Sequence, residues 1–377
     1  MLRKQKLAGG EPGRNIVETV RAVGGLHATG ATTPYLSCFA RVAGFKREHL
    51  DHELYVKRNL GKIRYVRTTV YVLPKDMIPT AFAATRTMSD PASKAYSKFL
   101  GITEELYRKT SKRILEILQG KNGMTTKQIR EALETPLNVS PIVNLMCDQG
   151  LLIRGAPEKG WKSNLHTYHL FNEYFPNMKL NETNEESARK TIILWYLASF
   201  GPATLDDVAW WTGFPKNQVR HIMESQQDEI TYLNIPDLSK TFLMLHQDET
   251  SMKLTRNEEK HVINMLPSLD PYMMGYKDRE RYMNLKHYDF VFDRGGNATS
   301  TILLNGKIIG IWDFKERVIK IFLFEDITQT LLEEISAKAR SLGVFISNRN
   351  ADVNECESMV PLTQRSAGGV MSPLKDC

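Results

Sequence analysis

Cysteine is scarce in this chain of 377 residues: four in all, Cys38, Cys147, Cys356 and Cys377, with no paired spacing. That excludes a cysteine-rich zinc module and speaks against a disulfide scaffold, so the four read as thiols of a reducing compartment. No stretch of about 18 apolar residues occurs, so no membrane span is expected. The leading MLRKQKLAGGEPGRN is charged with no apolar run behind it, so no secretory signal is expected either. There is no GxGxxG and no P-loop, and the nine histidines include no HExxH and no cluster with metal-ligand spacing. The expectation is a soluble, cytoplasmic protein without nucleotide cofactor or metal. Glycine (24) and proline (16) are too few for a collagen-like or low-complexity chain, and at 42% hydrophobic the chain can bury a sizeable core.

What is present is an internal repeat. SKRILEILQGKNGMTTKQIREAL followed by NVSPIVNLMCDQGLLIRG, from near Thr110, resembles in pattern ARKTIILWYLASFGPATLDDVAWWTG followed by KNQVRHIMESQQDEITYL, from near Arg189. Aligning Thr125 with Thr204 pairs Ile129 with Val208; after a slip of two, Ile142 pairs with Val219 and Met146 with Met223. Each copy reads as helix, glycine-containing turn, threonine N-cap, short helix, third helix and strand, with apolar residues at helical spacing. A strand pair then closes each copy, around a polar loop at 155–164 in the first, which makes both winged helices. The N-terminal stretch reads the same way: a helix at 15–26, a second started by Thr32–Thr33–Pro34 through Val42, a third at 49–60, then a hairpin, KIRYVRTTVYVLP, around Arg67 and Thr68.

After Lys260 the pattern changes. LPSLDPYMMGYKDRERY is aromatic and basic, and DFVFDRGGNATSTILLNGKIIGIWDFKERVIKIFLF reads as strands separated by a Gly-Gly turn and an Asn305–Gly306 turn, the latter a strong hairpin signal. A helix from Thr328 to Leu342 is expected to stop at Gly343. The expected fold is mainly α with β (α+β): winged helices at 1–100, 101–180 and 181–260, a C-terminal antiparallel sheet or barrel with a helix at 261–348, and a flexible tail at 349–377.

Charge is concentrated. Lys+Arg 50 against Asp+Glu 43 leaves a net +7, and residues 45–75 alone hold eight cationic side chains against three carboxylates. Alternation along KIRYVR puts Lys62 and Arg64, with Arg67, near a turn that can reach a groove, where neutralised phosphates release counterions. A charge run is also what a solvated face looks like; three winged helices around it favour the nucleic-acid reading. A second cluster, Lys277, Arg279 and Arg281 among Tyr272, Tyr276 and Tyr282, can grip a backbone and stack on bases, or pack as core and rim. Trp210 and Trp211 could stack on bases, but helical spacing makes at least one a core residue, and core filling is the simpler account of both.

The serial winged helices, the LPSLDPYMMGYKDR segment and the closing ATSTILLNGKIIGIW hairpin resemble the AlkZ/YcaQ family of winged-helix DNA glycosylases over about residues 15–345. The two late segments are the specific part. The resemblance implies excision of alkylated purines and unhooking of interstrand crosslinks, and a short motif after the first helix: Gln or His, an apolar residue, then Gln or Asp. Gly24–Gly25–Leu26–His27–Ala28–Thr29 stands at that place, with His27 first and Thr29 where a Gln or Asp belongs. His27 and Thr29 would then hold the attacking water: an imidazole of ordinary pKa near 6.5 can accept its proton. A hydroxyl at 29 can hold water but supplies no anion to an oxocarbenium-like sugar. Without the resemblance, a histidine after Gly-Gly-Leu is more simply one that caps carbonyls or packs; the family position sets catalysis level with that reading.

The function expected is a DNA-repair glycosylase hydrolysing the N-glycosidic bond of N7-alkylated or crosslinked purines. Its partner would be damaged double-stranded DNA at the nucleoid, met by a monomer, with Lys62, Arg64, Arg67, Lys277, Arg279 and Arg281 on phosphates. The alternative, which Thr29 favours, is a non-catalytic winged-helix DNA-binding protein, either a regulator or a lesion binder.

Overall fold

The structure, a computed structural model, describes residues 1–8, 15–234, 240–253 and 261–364. The first unit is α1 (Ile16–Ala22), β1 (Leu26–His27), α2 (Thr33–Phe39), α3 (Arg47–Asp51), β2 (Leu60–Arg64) and β3 (Val70–Pro74), followed by a long α4 (Ile78–Phe99). The expected helix at 49–60 is shorter than read: α3 ends in one π turn, His52–Val56, and Leu60 is already strand. The second unit is α5 (Glu104–Leu118), β4 (Met124–Thr125), α6 (Thr126–Ala132), α7 (Ser140–Asp148), β5 (Leu152–Pro157) and β6 (His166–Leu170), with a short α8 (Phe171–Tyr174) after it. The third is α9 (Glu185–Phe200), α10 (Leu205–Thr212), α11 (Lys216–Glu224), β7 (Ile230–Asn234) and β8 (Thr241–Leu245), then α12 (Glu249–Lys253).

The repeat is carried by its caps. Thr125 Oγ1 accepts the Gln128 N–H at 3.3 Å and Thr204 Oγ1 the Asp207 N–H at 3.1 Å, and Gln128 and Asp207 reach back to the cap residue's own N–H. Each reciprocal pair satisfies two backbone donors that the first helical turn leaves free.

The hairpins do not stand as separate wings. β1-β3-β2-β5-β6-β4 form one six-stranded sheet, in which Lys62 of β2 lies opposite Arg154 of β5, so the first two units share a sheet. β7 and β8 pair by themselves, with a bridge from Ala203 to Leu243.

The C-terminal part is β9 (Ile263–Leu266), α13 (Pro271–Met274), α14 (Tyr288–Val291), β10 (Thr301–Leu304), β11 (Lys307–Lys315), β12 (Val318–Leu323), α15 (Gln329–Ser347) and β13 (Asp352–Glu355). Asn305–Gly306 joins β10 to β11 as the dipeptide predicts. Five readings are corrected here. The Gly295–Gly296 turn follows a short helix, not a strand. The sheet order is β13-β12-β11-β10-β9, antiparallel except for β13, which runs parallel to β12. Residues 352–355 are therefore a strand rather than tail; the tail from 365 lies outside the described residues. Gly343 does not stop α15, which ends at Asn348 in the left-handed region (φ 57°). Gly343 instead admits Ala351, whose Cβ would lie 2.3 Å from a Cβ at 343. Cys38 and Cys147 are free, but Cys356 is disulfide-bonded, against the expectation of a thiol there. Among the described residues no helix is long and apolar enough to cross a membrane.

One large core joins a face of the six-stranded sheet (Ile63, Tyr65, Tyr71) to α4, to Phe200 and Trp211 of the third unit, and to Tyr272, Tyr276 and Tyr282. Those three tyrosines are core, which settles their alternative. The segment that carries them is strapped down by two buried carboxylates. Asp270 receives both terminal nitrogens of Arg41 at 2.7 Å, with neither side chain exposed, and also the Ser37 hydroxyl and the Tyr272 N–H. Asp207 receives the Lys277 and Asp278 N–H groups at 2.8 and 3.0 Å and Arg281 at 2.8 Å. Removing one partner of a buried pair leaves the other charge uncompensated. Arg41→Met is therefore expected to cost about 3–5 kcal/mol in urea unfolding; a loss below about 1 kcal/mol would show that the pair does not clamp the segment.

Candidate active site

The site is built from the end of α1. Gly24 (φ 74°) and Gly25 (φ 95°) turn the chain out of the helix into β1, and a Cβ at 25 would lie 2.6 Å from the Leu73 side chain. Only glycine meets both the left-handed backbone and the close approach. β1 then sets His27 opposite Tyr71 of β3, their rings 4.6 Å apart. His27 is 6% exposed, beneath the exposed Thr29, whose Oγ1 is 3.4 Å from His27 Nδ1. Burial, helped by the nearby Arg67 guanidinium, lowers the His27 pKa to about 3. At neutral pH the ring is therefore uncharged: it can share a hydrogen bond with water but does not retain the proton.

Arg67 comes from the β2–β3 loop, where it and Thr68 both have left-handed backbone (φ 53° and 56°). Its guanidinium lies 4.1 Å from the centre of the Trp210 ring on α10. Arg279 approaches the same ring at 4.7 Å and Phe292 at 4.3 Å, and it donates to the Met273 carbonyl and the Tyr282 hydroxyl. The first unit, the third unit and the C-terminal segment thus meet beside His27.

The other cations lie elsewhere. Lys62, expected near a turn, is mid-strand and 6% exposed; it aligns with Val72 and Leu26, hence on the sheet face opposite His27 and Tyr71. Its amine donates to the Tyr55 hydroxyl at 2.7 Å, and burial, partly offset by Asp51, lowers its pKa to about 8. Arg64 is engaged by Asp148 at 2.6 Å and by the Thr68 carbonyl at 2.7 Å. Arg281 is engaged by Asp207 and the Pro202 carbonyl and lies 4.1 Å from the Tyr276 ring. The expectation of six cations on open faces is thus corrected for Lys62, Arg64, Arg279 and Arg281, whose polar ends are spent internally. The Lys277 side chain is 58% exposed, with only a long ion pair to the exposed Asp206 (4.0 Å) among the described residues, and lines a cleft of about 780 Å³ with Lys216, Lys240, Asp206 and Asp278. Trp211 is core as read, whereas Trp210 is half-buried at the site. Tyr71 was not singled out from the sequence, and its signal, alternation opposite a two-residue β1, is too short to notice. No group of three or more His, Cys, Asp or Glu that could hold a metal occurs among the described residues.

Three helix-turn-helix units with strand pairs, set on a C-terminal mixed sheet, define a tandem winged-helix protein. A family model, DNA glycosylase AlkZ-like, matches residues 20–345, and the chain belongs to that family. The interstrand DNA cross-link repair glycosylase of Streptomyces sahachiroi is 22% identical over 165 residues, which are 43% of this chain and 43% of that protein. The match thus spans less than half the length of that curated relative. The structure of Streptomyces sahachiroi DNA glycosylase AlkZ superposes with a TM-score of 0.76 at 17% identity, covering 94% of this chain and 97% of that one. At that identity the likeness is one of fold.

The imidazole's protonation gives a direct test. The unfolded chain protonates His27 near pH 6.5, the folded chain only near 3. Between these values the unfolded state binds the extra proton, so stability present above pH 6.5 is lost as pH falls, by about 1.4 kcal/mol per pH unit for this ring. In an NMR titration the His27 signal should not move between pH 5 and 8; a midpoint in that range would contradict the buried, neutral assignment.

Proposed function

We propose that the protein hydrolyses the N-glycosidic bond of N7-alkylated or crosslinked purines in double-stranded DNA, acting as a monomer at the nucleoid. The observation that carries this reading is the His27–Thr29 pair, 3.4 Å apart at the family's motif position. Membership in the AlkZ-like family and the cross-link repair activity named for the Streptomyces relative support it. N7-alkylation makes the base a cation that leaves as a neutral purine, so water placement can suffice without a strong acid. The Thr29 hydroxyl and the His27 ring would hold that water by hydrogen bonds, and the proton it sheds would pass to solvent, because a ring of pKa about 3 does not keep it. Arg67 and Lys277 would meet backbone phosphates directly. Lys62, Arg64, Arg279 and Arg281 would contribute through the surfaces they hold in place.

A second reading, a lesion binder that has lost excision, is favoured by one observation: Thr29 supplies neither the amide nor the carboxylate of the Gln or Asp that the resembled motif carries there. Incubation with duplex DNA carrying N7-methylguanine or an N7-linked crosslink decides between them. The expected result is free base and an abasic site, with release slowed at least about a hundredfold by His27→Ala. Binding without release would establish the second reading. Lys277→Ala should lower the slope of log affinity against log salt by about one unit; an unchanged slope would remove Lys277 from the phosphate contacts.

A further inference from the structure

The reaction poses an electrostatic problem at position 29. When the C1′–N9 bond breaks, its electron pair goes to the purine and positive charge builds on the sugar; water oxygen then bonds to C1′ and one proton is released to solvent. A carboxylate at 29 would offset that charge. Thr29 does not, and His27 is neutral. Arg67 and Arg279 both approach the Trp210 ring beside His27, and neither has an ion-pair partner among the described residues.

Arg67 differs from its neighbours in what it holds. Arg64, Arg279 and Arg281 all donate to carboxylates, carbonyls or hydroxyls. The Arg67 guanidinium has no hydrogen-bond or ion-pair partner among the described residues; it is half-buried and supported by the Trp210 ring at 4.1 Å. The left-handed backbone of residues 67 and 68 is that of a tight hairpin turn, as at Glu316–Arg317, and it fixes where the Arg67 side chain leaves the β2–β3 loop. A stacked guanidinium with an unused donor fork matches a phosphate in shape and charge.

We propose that Arg67 pins a phosphate flanking the damaged nucleotide, and that this phosphate supplies the negative charge that position 29 lacks. The inference rests on the glycosylase reading and deepens it: the substrate's own backbone completes the site, and Arg67 is the positioning residue. It follows that the enzyme acts on nucleotides within a strand and not on free alkylated nucleosides.

The test uses duplexes with N7-methylguanine in which the 5′ or the 3′ flanking phosphate is replaced by an uncharged methylphosphonate. In single-turnover excision, one of the two neutral linkages should slow the wild-type enzyme at least about tenfold. Arg67→Asn, chosen because asparagine tolerates left-handed backbone, should be slow on the all-phosphodiester duplex and lose little more on the neutral one. Thr29→Asp should recover at least about tenfold on the neutral duplex, a rescue that a merely structural role for Arg67 does not provide. Tolerance of both neutral linkages by the wild-type enzyme within about twofold, or effects of Arg67→Asn and the linkage that multiply, would overturn the proposal alone. No release from the all-phosphodiester duplex would overturn the glycosylase reading, and the proposal with it.

Discussion

Two buried carboxylates decide how the molecule is assembled. Asp270 takes the guanidinium of Arg41 from the first unit, and Asp207, in the third unit, takes two backbone N–H groups and Arg281 from the segment that follows Asp270. One stretch of chain, residues 266–282, is thereby tied to both units at once. Each carboxylate is fully buried, so neither can shed its partner for water without a large desolvation cost. Arg279, in the same stretch, is carried against Trp210, and Arg67 reaches the same ring from the first unit. The surroundings of His27 are therefore a product of assembly, with no single winged helix containing them.

That origin explains the electrostatics of the site. Burial keeps the His27 ring neutral, while the assembly brings Arg67 and Arg279 together at the Trp210 ring and leaves the neighbourhood cationic. Such a site suits an anionic polymer better than it suits a small cation. Under the proposed reaction the labour would be divided: protein groups would orient water, while charge compensation would fall to the nucleic acid. An Asp at position 29 would place part of that compensation on the protein; a threonine does not.

Much of the fold was legible because its signals are local. Thr125 and Thr204 cap helices through bonds that span three residues, and Asn305–Gly306 closes a two-residue hairpin, so each signal is complete within one short window. Gly24–Gly25, adjacent in the chain, form the turn that delivers His27, again within one short window. What depended on distant pairing was not legible. Alternation placed Lys62 on a strand, but not the facts that β5 pairs alongside that strand and that the amine is buried against the Tyr55 hydroxyl. α4 escaped notice because its buried face is made of small residues such as Ala81, Ala84 and Ser89, with Pro91 in its interior, so its apolar contrast is weak. Gly343 showed the opposite failure: a local stop signal was overridden by the close approach of Ala351. Trp210 and Trp211 are one residue apart, so about 100° of helical rotation sends one to the core and leaves the other at the site. Which went where was set by the third unit's packing.

Amide hydrogen exchange on the protein with and without a duplex carrying a stable lesion analogue tests the central claim most directly. Contact at the junction predicts protection in three separated stretches, 26–30, 66–70 and 209–213, appearing together on binding. Protection confined to other surfaces, with these three stretches unchanged, would contradict the assignment of the junction as the place where DNA is met.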